Sequence, residues 1–214
     1  MEPLFTERGV FVALEGGEGA GKSTQARMLG DWLDKLGHRV LLTREPGGTD
    51  VGAQLRRIVL DHSTGDLSPR AEALIYAADK AEHVDEVVLP ALAEGMVVVT
   101  DRYVDSTLAY QGAGRAVDIT ELEQVARWAT SDLRPHLTVV LDVDPATGLG
   151  RAGDHDRIEA EPLEFHQRVR EHFLALAAAD PDHYLVLPAD DDPDLLHKAI
   201  RARVEPWLGQ AAAA

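Results

Sequence analysis

Five short apolar runs rich in Val and Leu punctuate the chain: FVAL at 11–14, RVLLT at 39–43, MVVVT at 96–100, LTVVLDV at 137–143 and YLVLP at 184–188. Continuous runs of this length predict strands buried on both faces. The intervening segments carry helical periodicity. Ala26, Leu29, Leu33 and Leu36 share one face of a helix that Gly37 closes. A longer pattern over 71–94 stops at Gly95, with Pro90 placed to bend or break its last turn. Further helices are predicted over 119–130 and 162–179, and a last amphipathic one over 194–208 precedes a GQAAAA tail, 209–214, expected to be disordered. Strands that alternate with helices predict a parallel sheet covered on both faces. There is no internal repeat.

Composition narrows the function classes. With 214 residues, 45% of them hydrophobic, the chain can bury one substantial core, and a single catalytic domain over 1–208 is expected. No window approaches the roughly 18 uninterrupted apolar residues of a membrane span, and MEPLFTERG carries acids where a secretory signal is basic and apolar. A cytoplasmic protein without membrane contact is expected. Lys and Arg number 21 against 37 Asp and Glu, a net charge of −16 that opposes nucleic-acid binding over most of the surface. Any positive charge that matters must be local. The lack of cysteine excludes disulfides, thiolate metal sites and cysteine nucleophiles. The acidic run ADDDPD at 189–194 lacks EF-hand spacing and reads as a solvated turn and helix start.

The chemistry begins after the first strand. FVALEGGEGAGKST places Gly16, four intervening residues, then Gly21, Lys22 and Ser23 between a strand and a helix, the context a phosphate-binding P-loop requires. Across Gly16, Gly17, Glu18, Gly19, Ala20, Gly21, Lys22, Ser23 and Thr24, glycines let backbone N–H groups turn toward an anion, and the helix N-terminus adds unpaired donors. This predicts ATP as a cofactor. Lys22 neutralises β- and γ-phosphate charge, and the Ser23 hydroxyl is a ligand for Mg2+. Asp101, at the end of MVVVTD, is the second predicted metal ligand, with capping of the following turn as its other account. Arg102 can grip a pair of phosphate oxygens. A P-loop alone leaves kinases, GTPases, partition ATPases and transporter subunits open.

The remaining motifs narrow that choice. EGGEGAGKST, TREPGGT, EALIYAADKAEHV, DRYVDSTLAYQGAGR and DRIE, in this order, resemble bacterial thymidylate kinases from Gly9 to about Pro188. The resemblance implies a P-loop NTPase-type α/β fold with a five-stranded parallel sheet and a small lid. It also implies transfer of the ATP γ-phosphate to dTMP, giving dTDP and ADP, and a homodimer. Residue by residue, it places Glu18 at the acceptor's 3′-hydroxyl, Tyr76 stacked on thymine, and Pro46 in the pocket wall. Arg56 and Arg102 fall near the acceptor phosphate. Ser106, Tyr110 and Gln111 fall against deoxyribose and base, with Tyr110 as a steric gate against a 2′-hydroxyl. Tyr76 and Lys80 are four apart and share a helical face. Lys80 stands where the family usually has an arginine, a point charge in place of a planar fork. GAGR at 112–115 reads as a loop.

The acceptor phosphate is already ionised at neutral pH, its second pKa being roughly 6, so positive charge is needed and a base is not. The lid, about 150–160 within GLGRAGDHDRIE, offers Arg151 and Arg157, with Asp154, His155 and Asp156 diluting their charge. Either arginine is a candidate for the transferring phosphate, and a salt bridge closing the loop is the other account of Arg157. Kinases for UMP, CMP or a non-nucleotide acceptor, and an ATP-hydrolysing regulatory module, are the alternatives.

Overall fold

The computed structural model describes residues 8–151 and 156–211. The five predicted strands form one parallel sheet in the order β2-β3-β1-β4-β5, with β1 Val10–Gly16, β2 Val40–Arg44, β3 Val97–Asp101, β4 Leu137–Asp142 and β5 Tyr184–Pro188. β1 is buried along its whole length, which explains its unbroken apolar run. Its side chains alternate between two cores. Val10, Val12 and Leu14 pack with Leu29 and Leu33 of α1 (Lys22–Lys35), and with Ile200 and Val204 near the chain's C-terminal end. Phe11 and Ala13 meet Val84, Val88, Leu92 and Tyr103 on the opposite face. Truncating a residue such as Leu33, fully buried, to Ala costs about 2–5 kcal/mol.

The helices differ from the predicted pattern in three places. α2 (Asp50–Leu60) is not signalled by an inward apolar stripe, because Val51 and Ile58 are exposed and only Gly52 and Val59 are buried; Thr49 caps it by accepting from Gly52 N–H at 2.9 Å. The long pattern over 71–94 resolves into α3 (Pro69–His83), a π-helical turn over Val84–Val88, and α4 (Leu89–Ala93). Pro90 therefore does not break a last turn. It sits in the first turn of α4, where its missing N–H is tolerated, and the wide turn before it absorbs the mismatch.

GAGR is the third correction. α5 (Val104–Thr107) runs directly into a π-helical segment, Leu108–Gly114, so 112–114 are helical and only Arg115 lies beyond. A Cβ on Gly114 would stand 2.5 Å from a ring carbon of Phe165. That glycine serves close packing instead of a turn.

α6 (Ile119–Ala129), α7 (Pro145–Arg151), α8 (Leu163–Ala179) and α9 (Pro193–Ala211) complete the covering layers. Phe165, Val169 and Phe173 of α8 pack with Val140, Tyr110 and Ile158 in a third apolar cluster. α9 continues as helix through Ala211, past the predicted end at 208, and the remainder of the expected tail, 212–214, lies outside the described residues. Residues 1–7 and the lid segment 152–155, with Asp154 and His155, also lie outside them. No described helix is long and apolar enough to cross a membrane.

Candidate active site

The loops after β1, β2 and β3 meet at the C-terminal edge of the sheet, where open α/β sheets form their binding crevices. The chain leaves β1 through Gly16 (φ 132°), whose Cβ, if present, would lie 2.3 Å from the Leu141 carbonyl oxygen. Only glycine fits there. Gly19 is held as closely: a Cβ on it would stand 2.2 Å from the Gly148 carbonyl oxygen on α7. Lys22, in the first turn of α1, folds back so that its ammonium donates to the carbonyls of Gly16 (3.1 Å) and Gly17 (2.7 Å). Burial, then the neighbouring Arg102, lower its pKa.

Ser23 and Asp101 come together as the motif predicts. The Ser23 hydroxyl donates to Asp101 Oδ2 at 2.5 Å, across 78 residues of sequence. Arg102 follows in a left-handed backbone conformation (φ 73°), uncommon for a residue with a side chain. Its guanidinium donates to Gly16 O (3.2 Å), Ser106 Oγ (3.0 Å), Glu18 Oε1 (2.6 Å) and Tyr110 OH (3.1 Å). Burial pushes the Glu18 carboxyl up, but Arg102, Lys22 and the Tyr110 hydroxyl together hold it at about 2. Glu18 is therefore an anion beside Arg102, and Tyr110 OH donates to it at 2.7 Å.

Two cavities open on this arrangement. One, of about 900 Å³, is lined by Glu18, Gly19, Ala20, Gly21, Lys22, Ser23 and Thr24, together with Asp101, Arg102, Arg44, Arg56 and Arg151. The other, of about 580 Å³, brings together Glu18, Pro46, Arg56, Tyr76, Lys80, Arg102, Ser106, Tyr110 and Gln111, every residue the family resemblance assigns to the acceptor. Glu18, Glu45, Arg56 and Arg102 line both, so the cavities share a wall of mixed charge.

Four residues gain detail. Arg157 does not reach the phosphate loop: its guanidinium is drawn to the buried Glu72 carboxylate and donates to Val59 O at 2.9 Å, while its N–H donates to Leu60 O at 3.1 Å. It fastens its own segment to α2 and α3, the salt-bridge account of that residue. Arg151 is the lid arginine that lines the phosphate cavity, with Asp190 paired to it at 2.6 Å. Lys80 is 1% exposed and spends a proton on Glu45 Oε2 at 2.6 Å, leaving its other donors for the cavity it lines. Asp156 turns inward locally, its Oδ1 accepting from the N–H groups of Ile158 and Glu159.

Comparison with known proteins decides among the P-loop families. The profile of the family described as thymidylate kinase matches residues 14–200. A thymidylate kinase of Cutibacterium acnes is 59% identical over 202 residues, covering 94% of this chain and 99% of its own. One from a Synechococcus strain is 50% identical over 205 residues, covering 95% and 98%. The chain belongs to the thymidylate kinase family. The solved structure of the thymidylate kinase from Ehrlichia chaffeensis shares the fold, with a TM-score of 0.78, 30% identity, and coverage of 92% of this chain and 99% of that one.

Several residues that line or brace the two cavities escape the motif reading. Glu45 accepts from Lys80 and holds His83 Nδ1 at 2.7 Å, and His83 Nε2 lies 2.7 Å from Thr43 Oγ1. Burial raises the Glu45 carboxyl, but Lys80 and His83 bring it below the usual range. Glu72 gathers Arg115, Arg157 and Gln111, the last of which lines the smaller cavity. Arg44 lines the phosphate cavity one residue before Glu45. Glu45 and Arg44 lie within the quoted TREPGGT motif, where their charge was a visible signal; Glu72 opens EALIYAADK with nothing to mark it as buried.

Proposed function

We infer that the protein is an ATP:dTMP phosphotransferase, producing dTDP and ADP, in a single kinase domain. The observation that carries this reading is the shared wall of the two cavities. A pocket lined by an aromatic ring, Tyr76, and the polar ends of Lys80 and Gln111 joins a P-loop cavity through Arg56 and Arg102. A nucleoside monophosphate laid across it puts its base on Tyr76 and its phosphate between two arginines, facing the ATP γ-phosphate.

The acceptor oxygen attacks the γ-phosphorus, the bond to the bridging oxygen of ADP breaks, and no proton need leave the acceptor. Lys22 and Arg151 meet charge on the transferring group, and Arg102 aligns the acceptor phosphate. Glu18 orients Arg102 and Tyr110, and faces the sugar hydroxyl instead of a phosphate that it would repel. Gln111, with its amide N–H spent on Glu72, keeps its oxygen as an acceptor. Ser23 and Asp101 are hard oxygen donors that suit Mg2+, which typically takes one or two protein ligands with waters and phosphate oxygens. A Mg2+ ion held there would supply positive charge to the phosphates of ATP.

The homodimer of the resemblance fits the layer of α2, α3 and α6. Val51, Ile58, Leu74 and Trp128 are exposed on those helices, Trp128 at 81%. Sedimentation of the wild type and of Trp128→Arg tests it: a dimer weakened by the substitution supports the reading, and a monomer in both cases removes it. We place the protein in the cytoplasm, free of membrane and nucleic acid, on its charge of −16 and its small-molecule substrates. An acceptor panel tests the activity itself. ADP formation in the presence of ATP should depend on dTMP and be much weaker with dCMP, UMP or CMP, and no preference for dTMP would overturn the assignment.

A further inference from the structure

Glu15 places a carboxyl group in the middle of the core, where burial, then the nearby Asp105, pushes its pKa up to about 7. It is 0% exposed, between Leu14 and Gly16 on a strand whose every other side chain is apolar or absent. A buried carboxyl is retained only where its bonds are made. All of those described for it go to one short segment. Glu15 Oε1 accepts from the N–H groups of Tyr103 (2.8 Å) and Ser106 (3.2 Å), and Oε2 accepts from the Ser106 hydroxyl (2.6 Å).

The segment so gripped is the one that presents Arg102. We propose that Glu15 is a positioning residue for phosphoryl transfer, acting through Ser106 to fix the Arg102 guanidinium at the junction of the two cavities. The left-handed backbone of Arg102 is one that L-residues avoid, and it is pinned on every side. Its N–H donates to Leu14 O at 2.9 Å, its carbonyl accepts from Thr100 Oγ1 at 2.8 Å, and the next N–H, of Tyr103, goes to Glu15.

The side chain is set by direction of donation. Ser106 spends its only proton on Glu15, so its oxygen is left to accept from Arg102 Nη1 at 3.0 Å. Glu15 Oε2 therefore holds the Ser106 proton away from Arg102 and fixes the direction in which the Ser106 lone pairs meet the guanidinium. The neighbouring buried acid, Asp105, is satisfied separately by the Tyr184 hydroxyl at 2.7 Å. No described hydrogen bond joins it to Glu15, although its charge adds to burial in raising the Glu15 pKa.

Glu15→Gln is the test, because the amide keeps shape and one oxygen but places an N–H against Ser106. The Ser106 proton then loses its acceptor, and the Ser106 oxygen is shared between the new amide and Arg102, which weakens one of the four bonds that hold the guanidinium. The inference rests on the reading that Arg102 meets the acceptor phosphate, so binding of dTMP and of thymidine should be compared by calorimetry. In the variant, dTMP affinity should fall at least tenfold, with thymidine affinity and the KM for ATP within twofold of wild type. An unchanged ratio of dTMP to thymidine affinity in Glu15→Gln would overturn the inference, whereas a wild type that binds the two equally would overturn the reading of Arg102. Should Glu15→Gln not fold, Glu15→Asp, which keeps the acid but withdraws it from Ser106 by one methylene, carries the same comparison: a selective loss of dTMP affinity supports the relay, and an equal loss for both ligands contradicts it.

Discussion

Glu18 Oε1 receives both Arg102 Nη2, at 2.6 Å, and the Tyr110 hydroxyl, at 2.7 Å, so one carboxylate oxygen orients the cation and the phenol that line the same cavity. The folded protein holds this carboxyl at about 2, against about 4.5 for the same side chain in the unfolded chain. A lowered acid pKa stabilises the fold above the unfolded value, and that contribution is lost as pH falls from 4.5 toward 2. The shift corresponds to on the order of 3 kcal/mol at neutral pH. Urea unfolding should therefore show Glu18→Gln destabilised at pH 6, with the gap to wild type narrowing by pH 3. A gap that stays constant over this range contradicts the ion pair.

The two lid arginines should separate cleanly. Arg151→Ala should lower kcat at least tenfold, about 1.4 kcal/mol of barrier, with Tm unchanged. Arg157→Ala leaves Glu72 with one cation fewer and should lower stability by about 1–3 kcal/mol while kcat stays within threefold. Thermal unfolding beside steady-state kinetics checks both, and the reverse pattern would return Arg157 to the chemistry.

Tyr76→Ala should raise the KM for dTMP tenfold or more, since base stacking on an aromatic ring contributes about 1–3 kcal/mol. The KM for ATP should be unaffected. Equal KM values for dTMP in variant and wild type would remove Tyr76 from base recognition.

Glu45→Ala strips the buried Lys80 of its anion, 2.6 Å away, and should cost about 3–5 kcal/mol. Glu45→Gln combined with Lys80→Met should recover part of that loss while leaving dTMP binding weak. Chemical denaturation with dTMP titration distinguishes a pair needed for stability from one needed for the pocket.

The sheet and the phosphate loop were legible because each is written locally. Parallel strands buried on both faces leave unbroken apolar runs, and the P-loop needs glycine, lysine and serine at fixed spacing beside them. The π-helical stretch 108–114 was not legible, since Gly112 and Gly114 resemble turn glycines until Ile119 and Phe165 are seen against them. Buried acids are hidden for another reason. Glu15, Glu45 and Glu72 find their partners 35 to 91 residues away, so no short window distinguishes them from exposed acids. The lid arginines were ambiguous on the same ground: what separates Arg151 from Arg157 is the position of Asp190 and Glu72, set by tertiary packing.

The most direct measurement is transfer of label. Incubated with γ-labelled ATP, Mg2+ and dTMP, the wild type should yield labelled dTDP, and Lys22→Ala, which removes the ammonium behind Gly16 and Gly17, should yield none above background. Label released as inorganic phosphate at a rate indifferent to dTMP, with no dTDP formed, would contradict the account.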